Sequence, residues 1–376
     1  MQVKWVSMTQ TQFNRPLITH KYTADPSAHL FNGKIYLYPS HDLGNDKVDD
    51  GSGDHFWMED YHVFSMDGIG SPVTDHGQAL HISNVPWATE QMWAPDAQER
   101  NGKYYLYFPA KDKDGIFRIG AAVSDSPEGP FTAEPNYIEG SFSIDPAVFK
   151  DDDGRCYMIV GGLWGGQLEK WQTGEFVEGA PATEPGTDGP QGAETALTPW
   201  VAEMNDDMVS FKHPPRYVQI LDEFGQPLRA DDLDRRYFEG PWMHKFNGKY
   251  YLSYSTGETH YLVYAEGDNP YGPFTYKGRL LEPVVGWTTH HSIIEIDGQW
   301  YLFYHDSTIS GGATQLRGIK YTPLDIAPDG TITTIDPYAD PAVRLDAAKL
   351  MLAKSDIDTV QETFNLSDQE VETISR

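Results

Sequence analysis

The chain of 376 residues contains a single cysteine, Cys156, and half as many basic residues as acidic ones. One cysteine excludes an internal disulfide framework and a metal site built from clustered cysteines. With 28 Lys and Arg against 56 Asp and Glu, the formal net charge is −28. Nucleic-acid binding is therefore not expected, because it needs clustered basic residues, and an anionic membrane surface would repel the chain. We also find no run of about 18 apolar residues, so no transmembrane helix is predicted.

Aromatic residues, by contrast, are abundant, with 22 Tyr, 17 Phe and 10 Trp. This content excludes a disordered chain and indicates a sizeable core. The first ten residues, MQVKWVSMTQ, lack the apolar segment of a signal peptide. The expected location is therefore the cytoplasm, although a chain whose signal had been removed would look the same.

Five segments repeat one pattern, in which an apolar stretch, a turn with glycine and an alternating aromatic strand follow one another. They are HLFNGKIYLYPSHD (29–42), AQERNGKYYLYFPAKD (97–112), AVFKDDDGRCYMIVGG (147–162), WMHKFNGKYYLSYSTG (242–257) and IIEIDGQWYLFYHDS (293–307). Asn-Gly and Asp-Gly favour tight hairpin turns, because these turns need positive φ. A second strand pair follows four of the five hairpins, so each unit has about four strands. The sequence predicts an all-β fold, a five-bladed β-propeller over residues 1–339. A β-sandwich or two small β domains are the alternatives.

Two stretches depart from the repeat. Residues 172–235 form an apparent insertion, rich in Gly, Pro and Thr at its start, which we expect to begin as a loop and to shape the mouth of a pocket. Residues 340–376 are rich in helix formers and poor in aromatics. We expect a tail outside the propeller, either one or two helices or a flexible segment.

Three acids precede the predicted blades in similar settings. Asp25 lies in TADPSAHLF, Asp145 in SIDPAVF and Glu239 in YFEGPWMHKF, and Pro or Gly-Pro follows each of them. Equivalent blade edges converge on one channel in a propeller, so these acids can share a pocket. Two carboxyl groups, one protonated and one ionised, are what glycoside hydrolysis needs, and a third can raise the pKa of the acid. Asp-Pro is also a common turn dipeptide, which is the structural alternative for each acid taken singly.

Together, these motifs resemble glycoside hydrolase family 43, in particular its β-xylosidase type. The resemblance runs over about residues 16–335 and rests on TADPSAHLFNGKIYLYPSHD, QMWAPDAQERNGKYYLYFPAKD, GSFSIDPAVF, FEGPWMHKFNGKYYLSYSTG and VVGWTTHHSIIEIDGQWYLFYHD. It implies a five-bladed propeller and single-displacement hydrolysis with inversion. It implies that Asp25 is the general base, that Asp145 orients and modulates the pKa, and that Glu239, in an E-x-x-W setting, is the general acid. Inversion would place the Asp25 and Glu239 carboxyl groups roughly 6.5–9.5 Å apart.

Sugar contacts are predicted around these acids. Trp93 in QMWAPD is the first candidate for stacking on a pyranose, with a core tryptophan as the alternative. The resemblance favours a sugar contact for His41, which could equally be structural, and implies that Arg317 in TQLRGIK reaches the terminal sugar and the acids. His260 and Trp242 are further candidates.

A divalent cation is the one cofactor expected. Adjacent strand residues point to opposite faces, so His290 and His291 cannot both bind one ion in regular β geometry. The resemblance implies a central-channel cation, usually Ca²⁺, held by His290 and mostly by water. Such a site is weak for calcium and could also take Mg²⁺ or Mn²⁺. A hydrogen-bonded channel histidine is the alternative.

The function predicted is that of an inverting exo-glycosidase that releases terminal xylose from β-1,4-xylo-oligosaccharides. An α-L-arabinofuranosidase acting on arabinose-substituted oligosaccharides, or an enzyme with both activities, stays open. From other classes, a non-catalytic carbohydrate-binding propeller would not need the three acids, and an interaction scaffold would need neither the acids nor the channel histidine. The oligomeric state is undetermined by the sequence.

Overall fold

The computed structural model describes residues 13–49, 52–178, 189–287 and 289–376. Four of the five predicted hairpin turns have positive φ at both central residues, beginning with Asn32 at 52° and Gly33 at 78°. The third turn is longer, and only its Gly154 has positive φ, at 82°. These turns connect the two innermost strands of each blade, as the repeat predicts.

Within the described residues, twenty strands form five sheets. The first blade holds β1–β4: Thr23–Phe31, Lys34–His41, Asp60–Met66 and Thr74–His81. The second holds β5–β8: Asp96–Arg100, Lys103–Lys111, Phe117–Ser124 and Thr132–Ala133. The third holds β9–β12: Ala147–Lys150, Cys156–Val160, Trp200–Glu203 and Arg216–Tyr217. The fourth holds β13–β17: Ile220–Leu221, Glu239–Phe246, Lys249–Ser255, Leu262–Gly267 and Phe274–Leu281. The fifth holds β18–β20: Ser292–Ile296, Gln299–Asp306 and Gly318–Leu324.

The innermost strands close a ring. Each of β1, β5, β9, β14 and β18 contacts the next, and β18 contacts β1 again. The segment before β1 lies along the fifth blade, because the backbone N–H groups of Asn14 and Leu17 donate to the carbonyls of Tyr321 and Ile319 on β20. The five-bladed propeller is confirmed, and these hydrogen bonds tie the segment before its first strand to its last strand.

Buried apolar side chains fill the spaces between neighbouring blades. Tyr157 of the third blade and Leu252 of the fourth belong to one such cluster, and Leu37 of the first blade and Leu302 of the fifth belong to another. These residues come from the alternating aromatic and apolar positions of the repeated hairpins, so the repeat supplies much of the core. The packed blades give the central channel a rigid wall.

The stretch predicted as an insertion contributes to the sheets. Strands β11 and β12 form the outer half of the third blade, and β13 joins β17 in parallel at the edge of the fourth. These strands have four residues or fewer and no Asn-Gly turn, so the repeat did not reveal them. Residues 179–188, the Gly/Pro/Thr-rich part expected as a loop, lie outside the described residues.

The tail forms three helices, α1 (Pro341–Leu352), α2 (Ile357–Phe364) and α3 (Asp368–Ile374), and not the one or two expected. Local capping divides it, since Asp356 and Ser367 accept hydrogen bonds at the starts of α2 and α3. The helices share an apolar cluster that includes Met351 and Phe364 and packs against Val285 of the propeller. The tail is therefore docked on the fifth blade and is not a flexible segment.

Among the described residues, no helix combines the length and the apolar character needed to cross a membrane.

Candidate active site

The three predicted acids lie where the backbone departs from regular strand geometry. Asp25 has φ of 49° within a register shift of β1, and Asp145 has φ of 61° two residues before β9. Glu239 begins β14 beside a second register shift, where Gly240 has φ of 62°. Bulges of this kind re-aim a side chain, and the prolines that follow the acids have no N–H to leave unpaired. The Asp-Pro and Gly-Pro motifs therefore aim carboxylates, beyond their role in turns.

All three acids line one cavity of about 210 Å³ at the channel. Three other predicted residues, Trp93, His290 and Arg317, line it as well. The side chains come from all five blades, although Asp25 and Arg317 are 292 positions apart in the chain. The ring arrangement is what brings them together.

Asp25 is surrounded by groups that favour its ionised form. Arg317 donates from Nη1 to Asp25 Oδ1 at 3.0 Å and from Nη2 to Oδ2 at 3.3 Å, and the Ser40 hydroxyl donates at 2.5 Å. Burial raises the pKa of Asp25, but the positive charge of Arg317 and the neighbouring His305 and His290 outweigh it. The pKa therefore lies below its ordinary value, as a general base requires.

The guanidinium of Arg317 is fixed from its other side by Asp42. Arg317 Nε donates to Asp42 Oδ2 at 2.9 Å, and Nη2 donates to Oδ1 at 2.8 Å. Arg317 is only 3% exposed. Two carboxylates thus hold one buried cation, and this bidentate geometry sets the position of the Asp25 carboxylate.

Asp145 and Glu239 form a coupled pair. Burial raises the pKa of Asp145 well above its ordinary value, and the negative charge of Glu239 adds to this effect. Burial, followed by repulsion from Asp25, raises the pKa of Glu239 to about 8. The Gly240 N–H donates to Asp145 Oδ2 at 2.9 Å and stabilises an ionised Asp145. The two carboxyl groups therefore titrate as a pair, and Glu239 keeps its proton at neutral pH.

We expect activity to fall as the pH rises through about 8, because Glu239 then loses the proton that it would donate. A pH profile of kcat/KM measures this alkaline limb. Because the coupling of the two carboxyl groups is reciprocal, Asp145→Asn removes a group whose ionisation disfavours that of Glu239 and should move the limb to lower pH. A limb that stays in place in this variant would contradict the coupling of the two acids.

Aromatic side chains form much of the remaining wall. Trp93 donates from Nε1 to the Phe56 carbonyl at 2.8 Å, and its ring lies against Phe117 at 4.7 Å. It lines the cavity while being only 8% exposed, so it is packed in the wall, and its stacking on a sugar stays a prediction. Trp164 and Trp287 were not predicted from the sequence, and their ring centroids are 5.5 Å apart in the same wall. Two sequence features could have indicated them: Trp164 lies among four glycines in GGLWGGQ, and Trp287 directly precedes the TTHH motif.

Three predicted sugar contacts are not among the described residues that line the cavity. Trp242 donates to the Ile293 carbonyl at 3.1 Å and is buried in the core. His260 bonds through Nδ1 to the Trp287 carbonyl at 2.7 Å, so it supports the wall from behind. His41 points to the face of β2 opposite to Ser40 and Asp42, where its Nδ1 lies 2.6 Å from Asp60 Oδ1.

His290 lies between two of the acids. Its Nδ1 is 3.8 Å from Asp25 Oδ1 and 3.8 Å from Asp145 Oδ2. Burial lowers the pKa of His290, which keeps its imidazole neutral and able to offer a lone pair. His291 points away and meets the Ser253 hydroxyl at 2.6 Å. The pair therefore divides between two faces, as expected for adjacent strand residues.

Comparison with known proteins shows that the chain is similar to glycosidases over most of its length. The family model of the glycosyl hydrolases family 43 matches residues 13–332. A xylosidase/arabinosidase 43A from Humicola insolens is 59% identical over 86% of this chain and 99% of its own length. A xylosidase/arabinosidase from Bacteroides ovatus is 53% identical over 86% of this chain and 97% of its own length.

Solved structures of similar proteins have the same fold as this chain. A family 43 β-xylosidase/α-arabinofuranosidase from a compost microbial metagenome, in a calcium-free form with xylotriose, has a TM-score of 0.84 and 60% identity. The match covers 87% of this chain and 98% of that one. A Xanthomonas citri enzyme complexed with xylotriose has a TM-score of 0.81 and 58% identity, over 87% of this chain and 95% of its own.

Proposed function

The chain belongs to glycosyl hydrolase family 43, and from this premise we propose that it releases terminal xylose from β-1,4-xylo-oligosaccharides with inversion. The observation that carries the mechanism is the set of opposed pKa shifts in one cavity. Asp25 has a lowered pKa, and Glu239 has one of about 8. Two carboxyl groups held in different protonation states near neutrality can serve as base and acid in the same step.

Asp25 acts as the base. In the ionised form that Arg317 stabilises, it accepts a proton from water while the water oxygen attacks the anomeric carbon. The hydrogen bonds from Arg317 and Ser40 hold the carboxylate in one orientation. A fixed base directs the water to one face of the sugar, and the product then has the inverted configuration.

Glu239 acts as the acid. It gives its proton to the glycosidic oxygen as the bond to the anomeric carbon breaks, so the leaving sugar departs as a neutral alcohol. Asp145 acts through Glu239, because the two carboxyl groups are coupled and the charge of either disfavours ionisation of the other, and it is a positioning residue. Trp93, Trp164 and Trp287 supply aromatic faces for the sugar rings.

A divalent cation fits at His290. The neutral, buried imidazole offers a nitrogen ligand in a channel whose carboxylates supply negative charge. Because hard cations prefer oxygen, the remaining ligands of Ca²⁺ would be mostly water. Such an ion would supply positive charge that stabilises the neighbouring carboxylates. Asp25 and Glu239 would still transfer the protons, and His290 would keep its position between Asp25 and Asp145.

An α-L-arabinofuranosidase activity in the same cavity is the second candidate. It is favoured by the names of the relatives from Humicola insolens and Bacteroides ovatus, which join xylosidase to arabinosidase. A binding propeller without catalysis is no longer an alternative, because the chain belongs to a hydrolase family and holds three acids in one cavity. The cytoplasmic location stays a prediction.

The test compares hydrolysis of p-nitrophenyl β-D-xylopyranoside and p-nitrophenyl α-L-arabinofuranoside, with and without a chelator. Faster cleavage of the xyloside is the expected result, and faster cleavage of the arabinoside would transfer the assignment to the second candidate. A loss on chelation that added Ca²⁺ restores would support the cation at His290. Proton NMR of the first sugar released from the xyloside should show the α anomer, and the β anomer would contradict inversion.

A further inference from the structure

A compact group of histidine and aspartate side chains lies on the first blade, outside the cavity lining. Strands β2 and β3 pair with Ser40 opposite Tyr61, which places the next residues, His41 and Asp60, opposite each other. Because side chains alternate along a strand, His62 lies on the same sheet face as Asp60. Two imidazoles and one carboxylate therefore project together from two neighbouring strands.

The distances within this group are short. His41 Nδ1 is 2.6 Å from Asp60 Oδ1, and His62 Nε2 is 3.4 Å from Asp60 Oδ2. One ligand atom from each of the three residues lies within 4.8 Å of the others. Zinc bonds of about 2.0–2.2 Å in tetrahedral geometry separate ligand atoms by roughly 3.3–3.5 Å. To bring the three ligands to one ion, separations of up to 4.8 Å would shorten by at most about 1.4 Å, and the 2.6 Å contact between His41 and Asp60 would lengthen to the same range.

The surroundings have the features of an outer ligand sphere. His62 Nδ1 faces Asp75 Oδ1 at 3.6 Å, so a carboxylate backs the ring nitrogen that points away from Asp60. Asp75 is itself fixed, by the Gly77 N–H at 2.8 Å and by His20 at 2.8 Å. Carboxylates behind a histidine ligand set its tautomer and increase its basicity.

We propose that His41, Asp60 and His62 form a second cation site, selective for Zn²⁺ or a similar imidazole-binding divalent metal. Two imidazoles and one carboxylate are a zinc ligand set, whereas Ca²⁺ and Mg²⁺ prefer all-oxygen sites. A water molecule takes the fourth position. The three side chains are 10–15% exposed, which lets an ion enter from solvent. The net charge of −28 favours cation binding in general.

The site has a structural role, because no member of it lines the cavity among the described residues. His41 is the last residue of β2 and precedes Asp42, the carboxylate that holds Arg317. Zinc there would tie the end of β2 to β3.

Calorimetric titration with Zn²⁺, in parallel with Co²⁺ absorption spectra, tests the proposal. The protein used is His290→Ala, which removes the channel histidine as a competing ligand. One equivalent of Zn²⁺ is expected to bind, and Co²⁺ should give the intense visible bands of a tetrahedral complex. Adding His62→Ala should weaken binding at least tenfold. Asp75→Asn, which removes only the carboxylate behind His62, should weaken it by about 10–100-fold.

His76→Ala is the matched control. His76 lies on neighbouring β4 and meets the Ser65 hydroxyl at 2.7 Å, outside the three-ligand group. This variant should bind Zn²⁺ as the parent does. Circular dichroism establishes that each variant is folded before titration. Equal Zn²⁺ affinity in the parent, His62→Ala and Asp75→Asn proteins would overturn the proposal, as would the absence of stoichiometric binding to the folded parent.

Discussion

Glu239→Gln is expected to lower kcat for xylobiose by about 10²–10⁴-fold, the usual contribution of general acid catalysis. Glutamine keeps the size of the side chain but has no acidic proton to give to the glycosidic oxygen. The loss should be much smaller for p-nitrophenyl β-D-xylopyranoside, because a nitrophenolate leaves without protonation. The alkaline limb of the pH profile near 8 should disappear in the variant. Steady-state kinetics on both substrates measure these effects.

Binding separates loss of chemistry from loss of fold. The dissociation constant of xylotriose, measured by calorimetry, should change little in Glu239→Gln, since the aromatic walls remain. Glu139→Gln, at an exposed position, is the matched control and should retain full activity. Equal losses on xylobiose and on the nitrophenyl xyloside would argue that Glu239 is not the proton donor.

Asp25→Asn is expected to lower kcat by about 10²–10⁴-fold on both substrates, because each reaction needs the same activated water. An amide cannot accept the water proton at neutral pH. The substitution also removes one of the two carboxylates that hold the buried Arg317, so the free energy of unfolding should fall. Breaking a buried pair costs about 3–5 kcal/mol, and the remaining contact with Asp42 keeps the loss at the lower end.

Asp42→Asn separates the loss of activity in Asp25→Asn from its loss of stability. It removes the other carboxylate from Arg317 and should destabilise the protein to a similar degree. Because Asp25 remains, it should lose far less activity than Asp25→Asn. Thermal unfolding and kcat measured on both variants give the comparison. If the two variants lost activity equally, Asp25 would be a structural carboxylate and not the base.

The architecture follows from local signals. Asn-Gly and Asp-Gly turns need positive φ, and the alternating aromatic strands that follow them need a half-buried surface. When this unit is repeated five times, each sheet has apolar faces that only neighbouring sheets can cover. A closed ring buries these faces in all five sheets. The acids were predictable for a similar reason. Asp25, Asp145 and Glu239 occupy equivalent positions relative to the repeat, so one symmetry argument placed them together.

The rest of the cavity wall has no such regularity. Trp164 lies in the connection between β10 and β11 of the third blade, and Trp287 lies between the fourth and fifth blades. In such segments no period links a position to a direction. His41 and Asp42 show how fine the distinction is. They are adjacent in sequence, yet only Asp42 faces the catalytic side, where it holds Arg317. His41 was predicted from the family resemblance, which does not say on which face of β2 its side chain lies.

The five repeated units, the turns between their strands and the three acids of the repeat can be read from the sequence, because each is encoded within a few neighbouring residues. The protonation states of those acids and the identity of the wall residues depend on the folded structure. The low pKa of Asp25 depends on Arg317, 292 positions away, and the high pKa of Glu239 depends on burial and on Asp25. Charge interactions and burial act through space, and the distances that set them exist only once the ring has closed.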